Sequence, residues 1–469
     1  VVNPNDRVRS RVCYLFGKLL QVLKLQFAPH AEDIVRAVQS VFQCAALQSS
    51  DKLDLYEGIG SVLSVSDPSV CISVADGVLQ HMHQLNAEQR AADAALCDAM
   101  ATQVSEDIAY LSHLAKGVAG SEATKIPDSP PLASKDGGSF PPVQQLPVSS
   151  DSLLSSSTAG AVSGAGPLQA FYQVTLDVMQ TLELWWQSPL VRDRSCLFMH
   201  QMVNILSHNT LSDVFESFTA RMMTWAAAAN ELPKILRVVY QFVNRTRAGS
   251  IPVISRMIPL FHSRVSQLCC ELQFVRSEMG VVSEYVKEQA EVYRSYFSVL
   301  HAVVHCSCLP ALFTEPAVSV LGAVLSQLVV ASQVSAEFEL PKQSLQILSR
   351  LTFQQCGEPG FETLSAFMID TAVPQLLNVV SSSAFDLKDA KNFFLVSELC
   401  QLLKYLIQKM GDNGLQSLYA LMMKAPLNLS AEESGAVCTR LRDEPRASAQ
   451  FKSSFRQLLE IAQSRRPTQ

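Results

Sequence analysis

The sequence is poor in aromatic side chains, which make up 7% of its 469 residues, and in charged ones, at 17%. Leu, Val, Ala, Ser and Gln dominate instead, and no convincing run alternates polar with apolar residues. That combination argues against a β-rich fold, whose strands favour aromatic and β-branched residues at a period of two. No CxxC pair occurs among the 12 cysteines. Apart from Cys269-Cys270 and Cys306-Ser307-Cys308 they are scattered among apolar neighbours, the pattern of buried free thiols in the cytosol or nucleus, not of a secreted disulfide scaffold. The longest apolar run, residues 317–331, is broken by Ser319, Ser326 and Gln327 and is too short to span a bilayer. With no signal peptide recognisable, membrane insertion is not expected.

Catalytic signatures are missing as well. There is no glycine-rich phosphate loop, no GxSxG elbow, no HExxH and no HxE followed by PCxxC. An enzyme is therefore not expected, and no catalytic residue or cofactor is assigned. His301, His305, Cys306 and Cys308 form the one group with metal-ligating chemistry, since two histidines at i, i+4 share a helix face and thiolates bind zinc. The sulfurs of Cys-x-Cys on a helix point apart, however, and no second ligand pair stands at zinc-finger spacing. Core packing, with no metal, is the expectation there.

What is present is helical periodicity almost everywhere. A chain this long cannot bury a single core, so it folds as several domains or as one elongated repeat array. Val8, Val12, Leu15, Leu19 and Val22 recur at spacings of four and three, one face of a helix, with Asp6 as its N-cap. Val396, Leu399, Leu403, Leu406 and Met410 repeat that rhythm; Asp386 can cap the helix, Asp389 suits its N3 position and Gly411 can stop it. Further amphipathic segments are predicted at 30–47, 51–65, 86–117, 169–187, 191–207, 211–229, 232–247, 251–276, 284–307, 315–333, 341–355, 360–380, 415–424, 430–442 and 446–464. Pro29, Pro68, Pro189, Pro233, Gly249, Pro310, Pro341, Gly357, Gly411 and Pro426 fall between them as breakers. Pairs of such helices recurring at roughly 40–50 residues have the period of HEAT and armadillo arrays. The fold expected is all-α, an α-solenoid superhelix of HEAT-like antiparallel helix pairs. Its repeats occupy 1–119 and 168–464, with a tail at 465–469. Between them, residues 120–167 hold 24 Pro, Gly or Ser among 48 and too few large apolar side chains to offset the entropy of ordering. This segment reads as a disordered linker or insertion, either a long loop or a binding or phosphorylation tail.

Four stretches carry a family resemblance. Asn3-Pro4-Asn5-Asp6-Arg7-Val8-Arg9 looks like the turn and second-helix start of a HEAT repeat, in which the Val packs inward and the Arg bonds toward a neighbouring repeat. Tyr293-Arg294-Ser295-Tyr296-Phe297 with Leu300, Phe385-Asp386-Leu387-Lys388-Asp389-Ala390 followed by Val396-Ser397-Glu398, and Phe451-Lys452-Ser453-Ser454-Phe455 resemble helices of the C-terminal half of the exportin-T family, within the importin-β/karyopherin group. They occur in that family's order and near its spacing. The resemblance implies a receptor that wraps tRNA together with Ran-GTP on the concave face of a HEAT solenoid. It also implies shuttling between nucleus and cytoplasm, with release of the tRNA in the cytoplasm, and contact with nuclear-pore proteins. Family members are about twice this long. The chain, opening on Val1 inside an apparent repeat, reads as a fragment, with the repeats that grip Ran most strongly outside it. The alternative is a HEAT scaffold or karyopherin for protein cargo.

The net charge of −6 does not announce a nucleic-acid binder, but charge is segregated along the chain. Residues 51–125 hold 11 acids and 4 bases. Residues 234–264 hold six bases (Lys234, Arg237, Arg245, Arg247, Arg256 and Arg264) and no acid. Phosphate backbones attract such cations, so this window is the first candidate tRNA contact. Lys452 and Arg456, at i, i+4 near the C-terminus, are the second. A solvated helix face is the competing reading of both.

Overall fold

Apolar side chains at helical spacing must be buried against a second helix, and the chain solves this with pairs. The computed structural model describes residues 5–42, 47–89, 93–120, 167–226, 228–269, 284–333, 339–382, 385–424, 427–443 and 449–464. Among these residues all regular structure is helical. Residues 121–166, nearly the whole Pro/Gly/Ser-rich segment, lie outside the described residues. The chain divides into two compact units, Val1–Thr210 and Leu211–Gln469.

The first unit contains α1 (Asp6–Val22), α2 (Lys24–Phe27), α3 (Ala31–Phe42), α4 (Ser49–Leu63), α5 (Pro68–Glu88), α6 (Ala94–Ala119), α7 (Pro167–Leu184) and α8 (Pro189–Ile205). Helices α1, α4, α6 and α8 pack side by side as one layer, and α3, α5 and α7 form the other. The first layer closes on glycine. A Cβ on Gly60 would stand 2.2 Å from the Leu114 carbonyl oxygen, and one on Gly117 would stand 2.2 Å from that of Glu57. The α4 and α6 backbones therefore touch directly, which only residues without a side chain permit.

The second unit begins within the first turn of α9 (His208–Trp225). It continues through α10 (Leu232–Thr246), α11 (Ile251–Leu268), α12 (Glu284–His305), α13 (Val318–Ser332), α14 (Glu339–Gln355), α15 (Glu362–Phe367), α16 (Val373–Val380), α17 (Ala390–Met423), α18 (Ala431–Asp443) and α19 (Ala449–Ser464). Alternate helices share a layer: α10, α12, α14 and α17 on one side, and α11, α13 and α16 on the other. Helices α18 and α19 pack on α17.

Several local expectations change. Asn5, not Asp6, caps α1, its side-chain oxygen accepting from the amides of Arg7 at 3.0 Å and Val8 at 3.4 Å. Asp6 instead pairs with Arg9 at 2.5 Å. The stripe Val8, Val12, Leu15, Leu19 and Val22 does share one face, but that face is exposed, Leu15 by 50% and Val22 by 77%. Burial falls on Arg9, Cys13, Gly17 and Leu20, because Gly17 lies against the α4 backbone and only the small face of α1 can come that close. Val8 is thus outward and Arg9 inward.

Asp389, not Asp386, caps α17, because the helix starts at Ala390; the Asp389 side chain accepts from the Lys391 amide at 2.9 Å. Regular helix stops at Gly411 (φ 56°) and resumes as a kinked continuation that absorbs the separate helix expected at 415–424. Pro68, Pro189 and Pro233 do not separate helices. They sit in the first turns of α5, α8 and α10, where no amide donor is needed. Reading Pro68 as a break hides most of α5. The segment expected at 360–380 is split by a π-turn, Met368–Ala372, ahead of Pro374, whose missing N–H and ring disturb the i→i+4 ladder. By length and composition Glu362–Val380 could cross a membrane, but its Leu364, Met368, Ala372, Val373, Leu376 and Leu377 are core residues of this unit.

Candidate nucleic-acid interface

The basic window 234–264 folds as two helices in different layers. On α10, Lys234 and Arg237 are exposed on one face. Arg245 is half-buried, and burial lowers its pKa; its Nη1 is buried without a hydrogen-bond partner. Arg247 ends the helix at φ 47°, a conformation costly for a residue with a Cβ, and projects to solvent.

On α11 the arginines tie helices together. Arg256 clasps Glu216 of α9 with two bonds, Nε to Oε1 at 2.7 Å and Nη2 to Oε2 at 2.5 Å. The Arg256 guanidinium holds the Glu216 carboxyl below its ordinary range. Arg264 donates to the Ala226 carbonyl just past α9 and to the Gln267 side chain at 2.6 Å. The structure therefore does not bring Arg256 and Arg264 onto one surface with the α10 cations.

The terminal pair also has local partners. Lys452, half-buried on α19, pulls against the upward shift that burial imposes on Glu398. Arg456 lies 5.7 Å over the Phe393 ring and 3.2 Å from Glu460.

A grouping that no local stretch of sequence announces lies along the C-terminal ends of α10, α12 and α14 and beside the Gly411 break in α17. These helices run parallel in one layer, so these points align. Arg247 at the end of α10 opposes the rise that burial causes in the Cys306 thiol, just past α12. The same thiol donates to Asn244 Oδ1 at 3.2 Å. His301 and His305 stack with ring centroids 4.0 Å apart. Burial lowers both to about 4, joined at His305, which keeps an exposed edge, by the Arg350 charge. Both are therefore neutral near pH 7, and the histidines of the metal-ligating group are a stacked imidazole pair.

Arg350 in turn lies 5.7 Å over the ring of Phe353, one turn further along α14, and Lys409 of α17 reaches the same ring at 5.7 Å. Phe353 is 37% exposed and meets Tyr405 of α17 at 4.7 Å. The turn after α14 fixes this arrangement. Gly357, at φ 77°, lies so close to the Lys409 carbonyl that a Cβ would stand 2.2 Å from its oxygen. Glu358 then pairs with the Lys409 ammonium at 2.9 Å. Cations at helix C-termini also suit the partial negative charge there.

The signal that could have found this rim is the repeat period rather than any local window. Arg247, His305, Phe353 and Tyr405 follow one another by about 50 residues, one helix pair each.

Acidic side chains in the first unit partly fold inward. Asp107 on α6 is buried and shares a hydrogen bond with His81 Nδ1 at 2.7 Å, with Glu106, Tyr56 and Lys52 nearby. Burial raises its pKa to about 6. Glu57 goes the other way: burial pushes it up, but His113 and Lys116 outweigh that and hold it at about 2. Among the described residues no three His, Cys, Asp or Glu side chains gather as a metal-ligand set.

Comparison with known proteins places these observations in a family. The Exportin-T family model matches residues 150–463. Exportin-T of Homo sapiens is 23% identical over 425 residues, covering 89% of this chain and 40% of its own length. Exportin-T of Danio rerio is 23% identical over 458 residues, covering 94% of this chain and 42% of its own. Exportin-T of Mycosarcoma maydis is 27% identical over a shorter stretch of 142 residues. The chain thus spans about 40% of the length of the human and zebrafish relatives. In fold it is similar to a structure titled Importin13 cytosolic state, with a TM-score of 0.61 at 12% identity over 98% of this chain and 47% of that one. That likeness, with the paired layers above, makes the fold an all-α solenoid of HEAT-like helix pairs. By the match of its family model over more than half of its residues, the chain belongs to the exportin-T family.

Proposed function

We propose that the chain is part of a nuclear export receptor that carries tRNA from nucleus to cytoplasm, holding it together with Ran-GTP and releasing it in the cytoplasm. It works by shape and charge, with no bond made or broken. Family membership supports the export role, and tRNA, Ran-GTP and nuclear-pore proteins are the partners that membership suggests. The observation that carries RNA binding by this part of the protein is the rim in the second unit. There Arg247 and Arg350, near helix C-termini, and Lys409, beside the Gly411 break, stand on neighbouring helices, where they would meet successive phosphates of a folded RNA. Lys234 and Arg237, exposed on the same layer, add charge toward the other end of α10, and Arg245 reinforces the end near the rim. Lys452 and Arg456 serve as secondary RNA ligands. Arg256 and Arg264 act as ties between helices. Residues 120–167 act as a linker or insertion between α6 and α7 of the first unit.

Fluorescence anisotropy with labelled tRNA, with and without GTP-loaded Ran, tests the reading. Binding that prefers folded tRNA over a matched duplex and tightens with Ran-GTP is expected. A response to Ran without any RNA affinity would favour a karyopherin for protein cargo.

A further inference from the structure

The rim holds one feature that phosphate binding does not need. Phe353 is a large exposed ring beside Arg350 and the Lys409–Glu358 ion pair, and Tyr405 backs it at 4.7 Å with the planes at 48°. Most large apolar side chains of α14 are buried; Leu345, Ile347, Leu348 and Leu351 are all core residues. Phe353 also sits where the backbone is held firmly. The Gly357 turn abuts the Lys409 carbonyl, the Gly357 amide donates to Ser365 Oγ at 3.1 Å, and Glu358 secures Lys409. Arg350 Cζ and Lys409 Nζ each lie over the ring, 5.7 Å from its centroid, so an incoming base takes a face as these cations turn to its phosphates. Neutral His301 and His305 bring no competing charge to Arg350.

An exposed ring with two cations beside it matches the chemistry of an unpaired nucleotide. The base has a π-face to stack, whatever its identity, and its phosphates carry charge on either side. Within a duplex the faces of the bases are already stacked, so a paired stretch gains nothing from the ring. We infer that Phe353, backed by Tyr405, is a stacking platform for an unpaired base of the bound RNA, with Arg350 and Lys409 taking the adjoining phosphates. This rests on the RNA-binding reading and sharpens it, because it assigns single-stranded nucleotides, in a loop or at an end, to one place on the rim.

The test uses the full chain and a single-stranded RNA oligonucleotide carrying 2-aminopurine, whose fluorescence is quenched on stacking, beside a blunt RNA duplex of the same length. The wild type should quench the single strand and bind it about tenfold or more tightly than the duplex. Phe353→Leu keeps the helix and the charges. It should abolish the quenching and cost about tenfold in single-strand affinity, with duplex affinity unchanged. Tyr405→Leu, with folding checked by thermal melting, should reduce quenching in the same direction. Lys409→Gln should weaken both RNAs. Quenching that survives Phe353→Leu, or duplex bound as tightly as single strand, overturns the platform and leaves RNA binding standing. No affinity for either RNA removes both readings.

Discussion

At the scale of single residues, a charged side chain's sequence neighbours do not show what it touches. Arg256 stands in an acid-free window and reads from sequence as a phosphate ligand; nothing local announces Glu216, which lies 40 residues earlier. With two bonds already made across α9 and α11, Arg256→Gln should lower stability by about 1 kcal/mol or less, since the pair is partly exposed. A small drop in the urea midpoint with tRNA affinity unchanged is the expected result. Asp107 is equally invisible to sequence, because its burial comes from the packing of α6. Its folded pKa, near 6, lies above the unfolded value, so its contribution is fully present below about pH 4 and is lost as pH rises through 6. Asp107→Asn should therefore flatten the stability profile between pH 4 and 6, adding on the order of 2 kcal/mol at pH 7 and nothing at pH 4. Urea unfolding at a series of pH values checks both the sign and the window.

At the scale of elements, periodicity locates most helices but not which side of each is buried. The stripe from Val8 to Val22 obeys every rule for a core face, yet the face that reaches α4 is the one with Gly17 and Cys13. Period fixes which residues share a face. Backbone approach, through glycine, decides which face goes inward. Prolines mislead in a related way, because a proline at N1 reads like a break; behind Pro68, Cys71, Val74, Val78, Met82 and Leu85 keep helical spacing along the buried face of α5. The α4–α6 seam makes the glycine argument testable. Gly117→Ala would set a methyl 2.2 Å from the Glu57 carbonyl oxygen, so the two helices must part. The loss expected is about 1–3 kcal/mol or more, read as a lower urea midpoint. Gly322→Ala, in α13 with open space around it, is the control and should be neutral or slightly stabilising.

At the scale of the whole molecule, composition and period point to the fold class. Three short stretches, around Tyr293, Phe385 and Phe451, point to the family. The candidate interface is only half legible in the sequence. Lys234, Arg237 and Arg247 stand on the layer that carries the rim, but Arg350, Phe353, Tyr405 and Lys409 are isolated in sequence and meet only because every second helix runs parallel in one layer. Charge that is gathered at the repeat period, rather than in a run, is hidden from any window shorter than a helix pair.

The central claim is that RNA is held through phosphates along this rim. The most direct measurement is the salt dependence of tRNA affinity for the wild type and for Arg247→Gln/Arg350→Gln/Lys409→Gln together. Each cation removed from a phosphate should flatten the plot of log affinity against log salt by about 0.7 to 0.9, so the slope of the triple variant should be shallower by about 2 to 3. An unchanged slope, with affinity intact, would place the RNA elsewhere and contradict the account.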